Sequence, residues 1–121
     1  MLIQTLTEAE FREKIFDYQK EETWVFKGNR PAIIDFYADW CAPCRMVAPI
    51  LEELSLEYDG QVDFYKVNTE KERELASVFG IRSIPTFLFI PATGDPMLHP
   101  GAFPKKVFEQ IIGEKLLTSQ E

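Results

Sequence analysis

The chain has 121 residues, of which 45% are hydrophobic, and a formal net charge of −7. This length can bury one small core, and the acidic balance disfavours nonspecific binding to nucleic acid or to an anionic membrane surface. No apolar run approaches the roughly 20 residues that a membrane-spanning helix needs, and no repeat or linker divides the chain, so we expect one domain over residues 1–121 without membrane insertion.

The first predicted helix follows a short strand and begins at a capping box. Thr7 and Glu10 have the spacing at which each side chain can cap the backbone N–H of the other. The apolar positions of this helix are Phe11, Ile15 and Tyr18. The next strand is predicted over Ala32–Ala38, which is rich in β-branched and aromatic residues. The intervening segment 21–27 has no assigned role.

The predicted strand leads into Trp40-Cys41-Ala42-Pro43-Cys44, which holds the only two cysteines. Two intervening residues place both sulfurs within one helical turn, where they can form a disulfide. Because so small a loop constrains the unfolded chain little, the pair is better explained by chemistry than by stability. Residues 45–54 have helical apolar spacing, so we predict Cys41 at a helix N-terminus, where free N–H groups stabilise a thiolate. Cys44, one turn further in, is expected to be more buried and to resolve a mixed disulfide.

A metal site is one alternative for the cysteine pair. A structural zinc site normally has four ligands, and the chain offers these two cysteines and a single histidine, His99. A zinc or iron–sulfur site would therefore have to be shared between chains. The other alternative is an incidental pair of buried cysteines.

Five further elements are predicted after the helix that follows the cysteines. They are a strand at 61–67, a helix at 70–79 that ends at Gly80, two strands at 86–90 and 97–99 around a turn at 92–95, and a last helix that opens at Pro104. The apolar stripe of the last helix is Val107, Phe108, Ile111, Ile112 and Leu116. Alternating strands and helices imply an α/β sandwich around a central sheet.

The order of these motifs resembles the thioredoxin family over nearly the whole chain. The matching segments are Asp35–Arg45, Lys66–Asn68, Phe79–Thr86 and Gly101–Ala102. The resemblance implies a thioredoxin-like three-layer α/β/α sandwich with a central mixed sheet and with the cysteines at the C-terminal ends of strands. It also implies a thiol–disulfide oxidoreductase whose only redox group is the Cys41–Cys44 disulfide, with no bound cofactor or metal.

The same resemblance implies catalytic roles for four residues. Cys41 would be the nucleophile and Cys44 the resolving cysteine, while Asp35 would be a buried acid that moves the proton of Cys44. Burial would raise the pKa of Asp35 toward neutrality, as a general base near pH 7 requires. Lys66 would tune Asp35. The alternative for Asp35 and for Lys66 is an ordinary exposed position on a strand.

Substrate binding is implied for residues around the cysteine pair. The family has a cis peptide bond before the residue that matches Pro85, with the backbone of Ile84 offered to an extended substrate segment. The alternative is a simple turn before a strand. The remaining implied docking residues are Trp40, Ala42, Pro43, Gly101 and Ala102. Ala42 stands where the family usually has glycine, which leaves the redox potential open.

The implied partners are disulfide-containing proteins and a flavoprotein electron donor similar to thioredoxin reductase. The protein itself is expected to be a monomer and to be located in the cytoplasm. Residues 1–5 lack the basic start of a secretory signal, although a signal removed earlier would leave no trace. An exported disulfide oxidant or isomerase is therefore one alternative function. A noncatalytic binding module on the same fold is the other.

Overall fold

The computed structural model describes residues 2–117. Its strands are β1 (Ile3–Thr5), β2 (Ala32–Tyr37), β3 (Asp63–Asn68), β4 (Thr86–Ile90) and β5 (Met97–Pro100). Its α-helices are α1 (Glu8–Lys14), α2 (Ala42–Glu57), α3 (Arg73–Val78) and α4 (Lys105–Ile111), and α4 continues into a π-helical segment, Ile112–Leu116. Within this described part, no helix has both the length and the apolar character needed to cross a membrane.

The five strands form one mixed sheet in the order β1-β3-β2-β4-β5. The first three strands along the chain are parallel, whereas β4 runs antiparallel to β2 and β5 runs antiparallel to β4. Strand β2 is therefore central and pairs on both edges. The carboxyl end of β2, from which the chain continues to the cysteines, therefore lies between the ends of its two neighbouring strands.

Helices cover both faces of the sheet, which confirms the predicted three-layer α/β/α sandwich. Successive side chains of a strand point to opposite faces. Ile34 and Phe36 of β2 accordingly belong to the core cluster that contains Phe11 of α1 and Leu75 of α3. Ile33, one position earlier, belongs to the opposite cluster, which is formed with α2, α4 and the π-helical segment. The apolar residues contributed by those helical segments are Val47, Leu51, Leu54, Phe108, Ile112 and Leu116.

The predicted capping box is confirmed, but the predicted extension of the first helix to Tyr18 is wrong. Thr7 Oγ1 accepts a hydrogen bond from Glu10 N at 3.1 Å, and Thr7 N donates to Glu10 Oε1 at 2.9 Å. The helix ends at Lys14, and the N–H of Lys27 donates to the carbonyl of Ile15 at 2.8 Å. This long-range bond holds the segment before β2 against the end of α1. The hydroxyl of Tyr18 donates a hydrogen bond to the Glu8 carboxylate at the start of the same helix.

The segment 21–27, for which the sequence indicated no role, covers the core beside α1. Trp24 and Phe26 pack against that cluster, and the rings of Phe16 and Trp24 are 4.7 Å apart. The helix predicted at 70–79 is also shorter than expected and begins at Arg73. The Asn68 side chain explains this late start, because its Oδ1 accepts the N–H groups of Glu70 and Lys71 and stabilises a turn there.

Candidate active site

The two cysteines form a disulfide at the start of α2. Cys41 is the N-cap residue, and its Sγ accepts a hydrogen bond from the N–H of Cys44 at 3.2 Å. Ala42 and Pro43 occupy the first turn, where the missing N–H of proline costs no helical hydrogen bond. The first turn of a 16-residue helix therefore presents an amide donor to the sulfur of Cys41 and stabilises negative charge there.

The expectation that Cys44 is more buried than Cys41 is wrong. Cys41 is 3% exposed and Cys44 is 4% exposed. Both sulfurs lie in one small cluster, in which Ala38, Tyr37 and Ile84 pack around them. The two cysteines are therefore distinguished by the amide contact at the N-cap rather than by their exposure.

The segment that contains Ile84 and Pro85 lies against the disulfide. The peptide bond between these two residues is cis, and the carbonyl oxygen of Ile84 lies 3.7 Å from Cys41 Sγ. Gly101 donates its N–H to the carbonyl of Pro85 at 2.9 Å and has a φ of +117°, which favours glycine. The structure thus brings Cys41, Ile84, Pro85 and Gly101 together.

Asp35 is a buried carboxylic acid on β2, facing the layer that contains α2. Its residue is 6% exposed, and Oδ1 has no hydrogen-bond partner among the described residues. Burial raises the pKa of Asp35 to about 7, against an opposing effect of the charge on Lys66, which is its register neighbour on β3. Asp35, Lys66 and Cys44 line one cavity of about 200 Å³, which is large enough to hold water.

Lys66 is half-buried at this cavity instead of occupying an exposed strand position. Its Nζ lies 5.6 Å from the centroid of the Tyr37 ring, a cation–π distance. Lys66 therefore lies beside both Tyr37 and Asp35, and its positive charge favours the ionised form of Asp35.

The remaining predicted docking residues lie on exposed surface around the disulfide. Trp40 is 64% exposed, and its Nε1 donates to Glu70 Oε2 at 2.6 Å. Ala42 and Pro43 are exposed at the start of α2. Ala102 lines a separate hollow of about 230 Å³ together with Met46, which is 76% exposed. Of these predicted docking residues, Trp40, Ala42 and Pro43 therefore lie around the disulfide, whereas Ala102 lines the separate hollow.

Two residues beside the site were missed in the sequence. Met46 carried a signal, because it is apolar but falls outside the buried stripe of α2 that contains Val47, Leu51 and Leu54. Glu70 carried none, since its contact with Trp40 joins residues 30 positions apart.

A disulfide at the N-terminus of a helix that follows the central strand of an α/β/α sandwich is the arrangement of a thiol–disulfide exchange protein. Comparison with known proteins agrees with this class. The Thioredoxin family model matches residues 3–114, and the chain belongs to the thioredoxin family.

Relatives support this family assignment along most of the chain, and a solved structure supports the fold. A thioredoxin of Borreliella burgdorferi is 51% identical over 108 residues, which cover 89% of this chain and 92% of the relative. A thioredoxin of Synechocystis sp. is 38% identical over 112 residues, which cover 93% and 94% of the two chains. The structure of chloroplastic thioredoxin z covers 94% of both chains with a TM-score of 0.79, and at 23% identity it shows the fold alone.

Family membership and the cysteine pair together establish the chemistry. The protein is a thiol–disulfide oxidoreductase that acts on protein disulfides through its redox-active cysteine pair, and thioredoxins do this without a cofactor. Its partners are disulfide-containing proteins and a reductase that donates electrons. This activity is favoured over the two alternative functions, the exported oxidant or isomerase and the noncatalytic binding module.

Proposed function

We propose that this protein reduces protein disulfides, with Cys41 as the attacking sulfur and Cys44 as the resolving sulfur. The observation that carries this assignment is the hydrogen bond from Cys44 N to Cys41 Sγ at the start of α2. A thiolate is the nucleophile in disulfide exchange, and a backbone donor at a helix N-terminus favours a thiolate over a thiol. Cys44, in the first turn of α2, lines the same cavity as Asp35.

The reaction has two steps, in which the protein supplies both electrons, and the two protons come from Cys44 and from water. The Cys41 thiolate attacks one sulfur of the substrate disulfide, so a mixed disulfide forms and the other substrate sulfur leaves as a thiolate that takes a proton. Cys44, after losing its proton, attacks the Sγ of Cys41 and closes the Cys41–Cys44 disulfide. The second substrate sulfur is then released. The substrate gains two electrons and two protons, and the protein dithiol is oxidised.

Asp35 is proposed as the group that accepts the proton of Cys44, and Lys66 as the group that tunes Asp35. A pKa of about 7 allows Asp35 to take and return a proton near neutral pH. Lys66 opposes the effect of burial and so limits this rise in the pKa. The shared cavity of about 200 Å³ supports a proton path between Asp35 and Cys44 through water.

Substrate binding is proposed at the exposed surface around Cys41. The backbone of Ile84 would pair with an extended segment of the substrate, as in strand addition, and Pro85 would hold Ile84 beside the sulfur. The other proposed contacts are Trp40, Ala42, Pro43, Gly101 and Ala102. Main-chain pairing makes little demand on the sequence of the substrate, which suits a reductase of many proteins.

The electron donor is proposed to be a flavoprotein similar to thioredoxin reductase, which would return two electrons to the Cys41–Cys44 disulfide. We propose that residues 1–121 form one domain that works as a monomer in the cytoplasm. A dithiol reductant fits a reducing compartment, because an oxidising compartment would hold the pair in the disulfide form.

Replacing Cys44 with serine is expected to trap the mixed disulfide. The Cys41 thiolate can still attack, but no second thiol closes the cycle, so a 1:1 covalent complex with a disulfide-containing protein such as insulin should accumulate while turnover is lost. Nonreducing electrophoresis and mass spectrometry measure the complex. The control is Cys41→Ser, which should form no such complex. Equal amounts of complex from both variants would contradict the assigned order of attack.

A further inference from the structure

We propose that the groove beside the disulfide selects substrates that carry acidic residues near the reacting cysteine. The groove has a volume of about 510 Å³, and both Trp40 and Ile84 line it. Since the carbonyl of Ile84 lies 3.7 Å from Cys41 Sγ, a substrate chain paired with Ile84 would continue into this groove. The inference rests on the proposed function and specifies the substrate class of the same site.

The groove is positively charged on a chain whose formal net charge is −7. Arg73 and Arg82 both line it and are exposed, and of the described residues that line it none is an aspartate or a glutamate. Neither guanidinium takes part in the ion pairs found within residues 2–117. Both are therefore available to a carboxylate of a partner, which a guanidinium can bind in a bidentate manner.

The carboxylates nearest to Arg73 along the chain are held by other groups. Glu70 accepts a hydrogen bond from Trp40 Nε1 at 2.6 Å, at the rim of the groove. Glu72 accepts the backbone N–H of Glu8 at 2.9 Å, and Glu74 lies 3.4 Å from the hydroxyl of Tyr18. Glu70, Glu72 and Glu74 thus have other hydrogen-bond donors, and among residues 2–117 none of them forms an ion pair with Arg73 or Arg82.

The position of the arginines sets where the acidic residue should be in the substrate. Arg82 is two positions from Ile84, and an extended chain advances about 3.3 Å per residue. A carboxylate about two to four residues from the reacting cysteine would therefore reach the arginines. Ser77 and Ser83 also line the groove and supply hydroxyl donors that suit the same group. The chemistry that fits is an acidic peptide segment.

The test compares two synthetic peptide disulfides that differ only in having glutamate or glutamine two to four residues from the cysteine. The reduced protein should reduce the glutamate peptide about fivefold faster than the glutamine peptide at low ionic strength, as two exposed ion pairs allow. Arg73→Gln combined with Arg82→Gln should remove this preference, so that the variant reduces the two peptides at equal rates. The preference should also decrease as salt is added, because the charges are exposed.

A charge-matched control separates a local site from a general effect of net charge. Lys20→Gln combined with Lys115→Gln removes two positive charges from exposed positions outside the groove and should keep the fivefold preference. The inference would be overturned if the wild-type protein reduced both peptides at equal rates, or if the control variant lost the preference as well. Either result would leave the proposed reductase function unaffected. If neither peptide is reduced, the proposed reductase function fails and the inference fails with it.

Discussion

Replacing Cys41 with serine is expected to lower disulfide reduction at least about a thousandfold, because the variant has lost its nucleophile. A serine hydroxyl does not attack disulfides, and the backbone amide contact that favours a thiolate is made to the Sγ of Cys41 and not to that of Cys44. The measurement is the reduction of insulin in the presence of dithiothreitol, with the rate of dithiothreitol alone subtracted. After this subtraction, no measurable rate should remain for the variant.

The same variant is expected to keep its fold, so that a loss of activity reports on chemistry. Cys41 is the N-cap of α2, and serine is among the preferred residues at this position. The matched control is the reduced wild-type protein, which also lacks the disulfide, and circular dichroism should give the same helix content for both. A well-folded variant that reduces insulin within tenfold of the wild-type rate would contradict the role of Cys41.

Replacing Asp35 with asparagine is expected to stabilise the protein at alkaline pH. The ordinary pKa of 3.8 applies to the unfolded chain, and burial raises the pKa to about 7 in the folded state. Between these values the folded state keeps a proton that the unfolded state has lost, so the free energy of unfolding falls as pH rises through this window. Above about pH 7 the loss is complete and amounts to roughly 4 kcal/mol.

Asparagine has no charge to bury, so the variant should escape this loss. Denaturant unfolding of the oxidised proteins should show Asp35→Asn to be more stable by about 2 to 4 kcal/mol at pH 8, with the difference much smaller at pH 4. The matched control is Asp95→Asn, which changes an exposed acid and should show no such pH dependence. A difference between Asp35→Asn and the wild-type protein that is the same at both pH values would contradict a buried acid with a raised pKa.

Local sequence signals predicted much of the architecture because they act between near neighbours. The capping box needs residues three positions apart, and the transition from β2 to α2 at Cys41 is determined by consecutive residues. The end of α1 could not be predicted in this way. It depends on a hydrogen bond between Ile15 and Lys27, which are brought together only by packing of the segment 21–27.

The candidate site shows the same division between local and long-range contributions. Cys41, Cys44 and Pro85 lie in motifs, so resemblance was enough to select them. The equal burial of the two sulfurs follows from the packing of Ile84 on the cysteine turn, which joins segments 43 residues apart. The positive groove likewise depends on which partners bind Glu70, Glu72 and Glu74, and each of those partners is distant in the sequence.

The sulfur at the helix N-cap should be the more reactive of two equally buried thiols, and the proposed chemistry depends on this difference. The direct measurement is alkylation of the fully reduced protein with less than one equivalent of iodoacetamide at neutral pH, followed by peptide mass spectrometry. We predict that nearly all of the label is on Cys41. Label found mainly on Cys44, or divided equally between the two cysteines, would contradict the account.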